Sequence, residues 1–77
     1  MNDPLFHEVL RWLCREDNTK RIASISAIQR NFGLGFGRAG RLIDAYTELG
    51  YVSEYKGEKA RNVLIRLDDI DGGDNGI

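Results

Sequence analysis

Residues 35 to 40 read GFGRAG, a formal match to G-x-G-x-x-G, the glycine pattern that cradles a dinucleotide pyrophosphate. That chemistry needs a strand ahead of the first glycine, because the glycines turn the chain from strand to helix beneath the phosphates. Here the preceding residues, SISAIQRNF, repeat their apolar members at helical spacing instead. The glycines therefore read as punctuation around helices. Gly33 stops one helix, Gly35 permits a sharp turn, Gly37 opens the next helix and Gly40 lets two helices approach. Leu34 and Phe36 are expected to drop into the core between them. Covalent and metal chemistry fare no better. The chain has one His and one Cys, His7 and Cys14. Seven residues apart on a helix, they are separated by roughly 10 Å along its axis, too far for a hydrogen bond. Two such groups are also too few to hold zinc. No catalytic residue, cofactor or metal is expected.

The remaining chemistry belongs to cations. Residues 20–41 contain five basic side chains and no acid (Lys20, Arg21, Arg30, Arg38 and Arg41). Four of the twelve acids fall in the last ten residues, so residues 1–67 carry a net charge of about +3 although the whole chain is −1. Arg38 and Arg41 lie three apart on one helix face and could each grip guanine O6 and N7 bidentately. Solvent exposure, or pairing with Asp44 or Glu48, explains them equally well on spacing alone. Asp44 could accept from a cytosine amino group, or be solvated or paired. Lys56, Lys59 and Arg61 sit at a turn where phosphate contacts would add affinity without sequence information, and Glu54 and Glu58 weaken that field. Lys20, Arg21 and Arg30 are further phosphate candidates.

The elements that must position these groups are short. Asp3-Pro4 caps and starts a first helix whose apolar stripe is Leu5, Phe6, Val9, Leu10 and Leu13. Ile22-Ala23 can add a short edge strand. Ser24 is placed to cap a second helix, ISAIQRNF, and Gly33 to end it. A third helix runs from about Gly37 to Leu49, with Ala39, Leu42, Ile43, Tyr46 and Leu49 inward, and Gly50 ends it. YVSEY, the turn KGEKAR and NVLIRL then read as a β-hairpin with a basic tip. The expected fold is mainly α with a small β-hairpin: a winged helix-turn-helix of three helices plus a wing, spanning residues 1–67. Residues 68–77 are expected to form an acidic disordered tail. In such folds the third helix enters the major groove of DNA. One cysteine, no signal-like start and no long apolar run predict a cytoplasmic domain without membrane contact.

Specific residues carry the expectation further. DPLF, SISAIQRNFGLGFGRAGRLID, LGYVSE and ARNVLI fall in one register from Asp3 to Leu64. In that register the chain resembles the gamma domain at the C-terminus of FtsK/SpoIIIE-type bacterial DNA translocases. The resemblance implies a winged helix that binds short, polar, G-rich sites on double-stranded DNA. It would thereby load or orient a hexameric motor, and could activate a tyrosine recombinase. It also implies base reading by an Asn, an Arg and an acid, at the positions of Gly37, Arg41 and Asp44. Arg41 and Asp44 keep the family's residue type, whereas Gly37 departs from it and Gly40 replaces a common Ala. The site expected from residues and resemblance together is Gly37, Arg38, Arg41 and Asp44 at the bases, with Arg30, Lys56, Lys59 and Arg61 at phosphates. The alternatives are a protein-docking winged helix and a stand-alone regulator.

Overall fold

The computed structural model describes residues 2–55 and 61–70. Its elements are α1 (Phe6–Leu13), β1 (Ile22–Ala23), α2 (Ile25–Phe32), α3 (Phe36–Glu48), β2 (Arg61–Asn62) and α4 (Leu67–Ile70). The order helix, short strand, helix, turn, helix, wing strand is the one expected from the sequence. No helix among the described residues is long and apolar enough to cross a membrane.

The starts of α1 and α2 follow from local signals. The Asp3 carboxylate accepts the Leu5 N–H at 2.9 Å and the Asp3 carbonyl accepts that of Phe6 at 3.0 Å, so Asp3-Pro4 sets the turn from which α1 grows. Val9, Leu10 and Leu13 then bury one face of α1. Ser24 caps α2, its hydroxyl accepting the Ala27 N–H at 3.3 Å. The helix ends share a device. Gly33 and Gly50 take left-handed φ values of 67° and 82°, a conformation any L side chain resists. This lets the Leu34 N–H return to the Gln29 carbonyl (3.1 Å) and the Tyr51 N–H to the Tyr46 carbonyl (2.8 Å). Both are six-to-one bonds that close a helix C-terminus.

Between α1 and β1 the chain is held by polar contacts. Asn18 Nδ2 donates to the Leu13 and Ile22 carbonyls at 2.8 and 3.0 Å. Arg21 adopts φ 57°. Its carbonyl accepts the Val63 N–H at 2.7 Å, and its guanidinium donates to the Ile65 carbonyl. Arg21 is thus a strut under the wing rather than a free phosphate contact.

β1 pairs antiparallel with β2, Ile22 opposite Asn62 and Ala23 opposite Arg61. A bridge between Val52 and Val63, with Ser53 N–H to Asn62 carbonyl (2.9 Å), ties in the other arm of the wing. The expected basic tip, with Lys56 and Lys59, lies outside the described residues. The core gathers Val9, Leu10, Leu13, Ile28, Ala39, Leu42, Ile43, Tyr46, Val52 and Val63. Tyr46 sits at its centre with its hydroxyl donating to the Phe6 carbonyl at 2.6 Å, joining α3 to the start of α1. Burial holds this phenol's pKa well above its ordinary value.

Four expectations are corrected. Phe36 does not enter the core but is 68% exposed, because the inward stripe of α3 begins a turn later at Ala39. Leu34 alone tucks under the turn. Leu49 is 54% exposed, since the chain reverses at Gly50 and Tyr51 packs on the core instead. Gly40 permits no close helix approach, as a Cβ there would meet nothing within 4 Å. Finally, the acidic stretch is not unstructured from residue 68. Leu67 and Ile70, three apart, pack against the core on one helical turn, and the Asp69 carboxylate accepts the Arg66 N–H at 2.9 Å.

Candidate nucleic-acid interface

The outer face of α3 is built from a column of positions four and three apart, Gly37, Arg41 and Asp44, opposite the buried Ala39, Leu42, Ile43 and Tyr46. Arg41 is exposed and makes no hydrogen bond or ion pair among the described residues. Its guanidinium folds back over the first turn, where a Cβ built on Gly37 would lie 3.7 Å from Arg41 Nη1. An added Cβ at 37 would make only ordinary van der Waals contact with that guanidinium, so the position of Arg41 does not require the glycine. No acid occupies the first turn of α3, so the positive helix terminus and Arg41 present one sign of charge.

Arg38 lies to one side of that column and is engaged elsewhere. Its Nε and Nη2 donate to the two Asp3 oxygens, both at 2.8 Å, in a fork-to-fork pair. The Asp3 side chain is only 11% exposed. Arg38 first, then the Leu5 N–H, hold its carboxyl at about 2, against an ordinary 3.8, and Arg41 adds a smaller field. The same bond raises the Arg38 pKa. This clasp, spanning 35 residues of sequence, fixes the start of α3 to the start of α1. Neither exposure nor a bond to Asp44 or Glu48, the outcomes weighed from spacing, describes Arg38.

On the other side stands the wing. Arg61 reaches across to α3, where Nη1 donates to Thr47 Oγ1 at 2.7 Å and Nη2 lies 3.6 Å from an Asp44 oxygen. Its side chain is 18% exposed, while that of Asp44 is 72% exposed. Arg61 thus braces the wing on α3 and steadies Asp44. Ser24, Gln29, Phe36, Tyr55 and Arg61 border a cleft of about 290 Å³ between the start of α2, α3 and the wing. Arg30 is exposed but borders a different cleft with Trp12, Arg15 and Asn31, where the Arg15 guanidinium stacks 4.0 Å from the Trp12 ring centre. The structure brings Gly37, Arg41, Asp44 and Arg61 together and sets Arg38 and Arg30 apart from them. Lys56 and Lys59 lie outside the described residues.

Elsewhere the titratable groups are separate. Cys14 is buried, its thiol facing the Ile65 carbonyl at 3.6 Å, and burial pushes its pKa up. His7 is exposed and packs edgewise on the Phe6 ring. Among the described residues no three His, Cys, Asp or Glu side chains are grouped to hold a metal ion.

A family model described as the Ftsk gamma domain matches residues 1–66. The chain belongs to that family. It is 41% identical over 68 residues to the DNA translocase SftA of Bacillus subtilis, covering 88% of this chain and 7% of that protein. The DNA translocase FtsK of Clostridium acetobutylicum gives the same identity over 68 residues, 88% of this chain and 8% of the relative. The DNA translocase SpoIIIE of Bacillus subtilis is 49% identical over 49 residues, 64% of this chain and 6% of that protein. The chain spans less than a tenth of the length of these curated relatives. The matched part is thus the small gamma domain.

Two contributors were missed by sequence reasoning. The Asp3–Arg38 clasp joins distant residues; Asp3 was expected to cap α1, but the helix begins at Phe6 with Leu5 at its N-cap, and the Asp3 carboxylate serves the preceding turn and Arg38 instead. The Arg61–Thr47 brace depends on the wing folding back over α3, which no local spacing encodes.

Proposed function

We propose that this gamma domain binds double-stranded DNA with α3 in the major groove, and so loads or orients an FtsK-like translocase on short, G-rich polar sites. In this reading Arg41 donates to guanine O6 and N7. Asp44, steadied by Arg61, accepts from the cytosine amino group of a neighbouring pair. Arg30, Lys56 and Lys59 neutralise phosphates, which positions the domain without reading sequence. Arg38 contributes through the clasp, by fixing the angle at which α3 leaves the turn. The motor would be carried by another part of a parent chain.

The single observation that carries the reading is Arg41. It is an exposed guanidinium without a bond among the described residues, one turn from Asp44, on the α3 face beside the wing. The test compares selected with scrambled duplexes. Arg41→Ala should cut the discrimination between them by about 5- to 150-fold, since a bidentate base contact is worth roughly 1–3 kcal/mol. Lys59→Ala should weaken both duplexes alike. Equal losses on both duplexes for Arg41→Ala would contradict base reading by this residue.

A further inference from the structure

The glycines around Phe36 have no explanation within the fold. Gly35 precedes α3 with φ −73° and ψ 165°, a conformation open to any residue, and a Cβ there would meet nothing within 4 Å. The same empty space surrounds Gly40, and the nearest atom to a Cβ on Gly37 is the tip of the flexible Arg41 side chain. Alanine would favour the helix at 37 and 40, and Ser or Asp would cap it at 35. A helix start stripped in this way suits close approach of another molecule to the backbone. Phe36, in its midst, is the most exposed large apolar side chain among the described residues. It stands on the side of α3 that borders the cleft with Ser24, Gln29 and Tyr55. Arg61 borders the same cleft and Arg41 lies exposed on the outer face of α3, while no acid is among the described residues that line the cleft. A polyanion fits that surface, and the first residues of a groove-bound helix are those that meet base edges.

We propose that Phe36 reads a thymine through its C5-methyl group, in the major groove beside the pair read by Arg41. This rests on the duplex-binding reading above. The methyl is the one apolar feature that a base pair shows in the major groove, and an aromatic ring is among the side chains that meet it. With positions 35, 37 and 40 bare, the ring and the Arg41 guanidinium are the groups that rise above the start of α3. One supplies apolar contact and the other a bidentate donor. The site so read pairs a thymine with a nearby guanine, and the ring compensates for the absent side chain at 37.

The experiment selects bound duplexes from a randomised pool, using the full chain and its Phe36→Ala and Arg41→Ala variants. Wild type should enrich a thymine at one position, and Phe36→Ala should lose that preference while keeping guanine. Replacing that thymine by deoxyuridine removes only the methyl. It should weaken wild type about three- to fourfold, the worth of one buried methyl group, and leave Phe36→Ala unchanged. Phe36→Ala should keep the wild-type melting temperature, since the ring is outside the core. If wild type selects duplexes yet deoxyuridine at every thymine costs nothing, the inference falls and the duplex reading stands. If the loss is equal in wild type and Phe36→Ala, another residue meets the methyl and the inference is overturned. If Phe36→Ala leaves selection untouched, the inference is overturned. If no duplex is selected, both fall.

Discussion

Arg61→Ala removes a side chain that sequence spacing offered to phosphate and that the fold uses as a brace. The backbone of Arg61 stays paired with Ala23, so truncation leaves the ladder intact. What disappears is the Nη1 bond to Thr47 Oγ1 at 2.7 Å, a charged donor in a site only 18% exposed. Hydrogen bonds to charged groups contribute about 1.5–3 kcal/mol, and the partial exposure places this one near the lower figure. The Asp44 contact at 3.6 Å adds a few tenths at most, because the carboxylate is 72% exposed and well screened. The sum is about 2 kcal/mol. For a domain of this size that lowers the melting temperature by about 8–16 °C. Thermal unfolding followed by far-UV circular dichroism reads it directly, and the loss should persist in high salt. Thr47→Val supplies the second corner of a double-mutant cycle, in which the two substitutions should be strongly non-additive. A variant melting within about 2 °C of wild type would behave as an ordinary surface substitution. It would refute the brace and return Arg61 to the phosphate candidates.

Gly50→Ala forces a Cβ into a φ of 82° and should destabilise by about 1–2 kcal/mol, whereas Gly40→Ala, in a helix with open space around it, should stabilise by up to about 1 kcal/mol; thermal melts of the two should move in opposite directions. For Asp3, held at about 2 against 3.8, the lowered pKa means stability present above pH 3.8 and lost as pH falls towards 2. Asp3→Asn should keep the bond from the Leu5 N–H, lose that acid dependence, and show it as a flatter stability profile between those pH values in chemical denaturation.

Much of the fold was legible because its signals are local. Ser24, Gly33 and Gly50 each act within a single helical turn, so α2 and the ends of α2 and α3 fall where residue types place them. Val9, Leu10 and Leu13, or Ala39, Leu42, Ile43 and Tyr46, likewise follow helical periodicity. Phe36 was misread because periodicity says which face a residue takes, not whether the core extends far enough along the helix to cover it. Leu67 and Ile70 were masked by the acids between them, although their spacing of three is helical. In the candidate site, Arg41 and Asp44 were recognisable by type and register. The fate of Arg38 was not, because a guanidinium finds its carboxylate in space, and Asp3 is brought beside it only when α1 packs on α3. The wing presents the same difficulty in Arg61, whose Thr47 partner lies on a separate element.

The central claim is that the α3 face and the wing bind a duplex. Its most direct test is the affinity of the full chain for a G-rich duplex as salt is varied. Four or so phosphate contacts, drawn from Arg30, Lys56, Lys59 and a neighbouring cation, predict that log affinity falls with log salt at a slope of about −3 to −4. Guanine-dependent discrimination should persist along that line. Absence of binding to any duplex at low salt, or affinity indifferent to salt, would contradict the account.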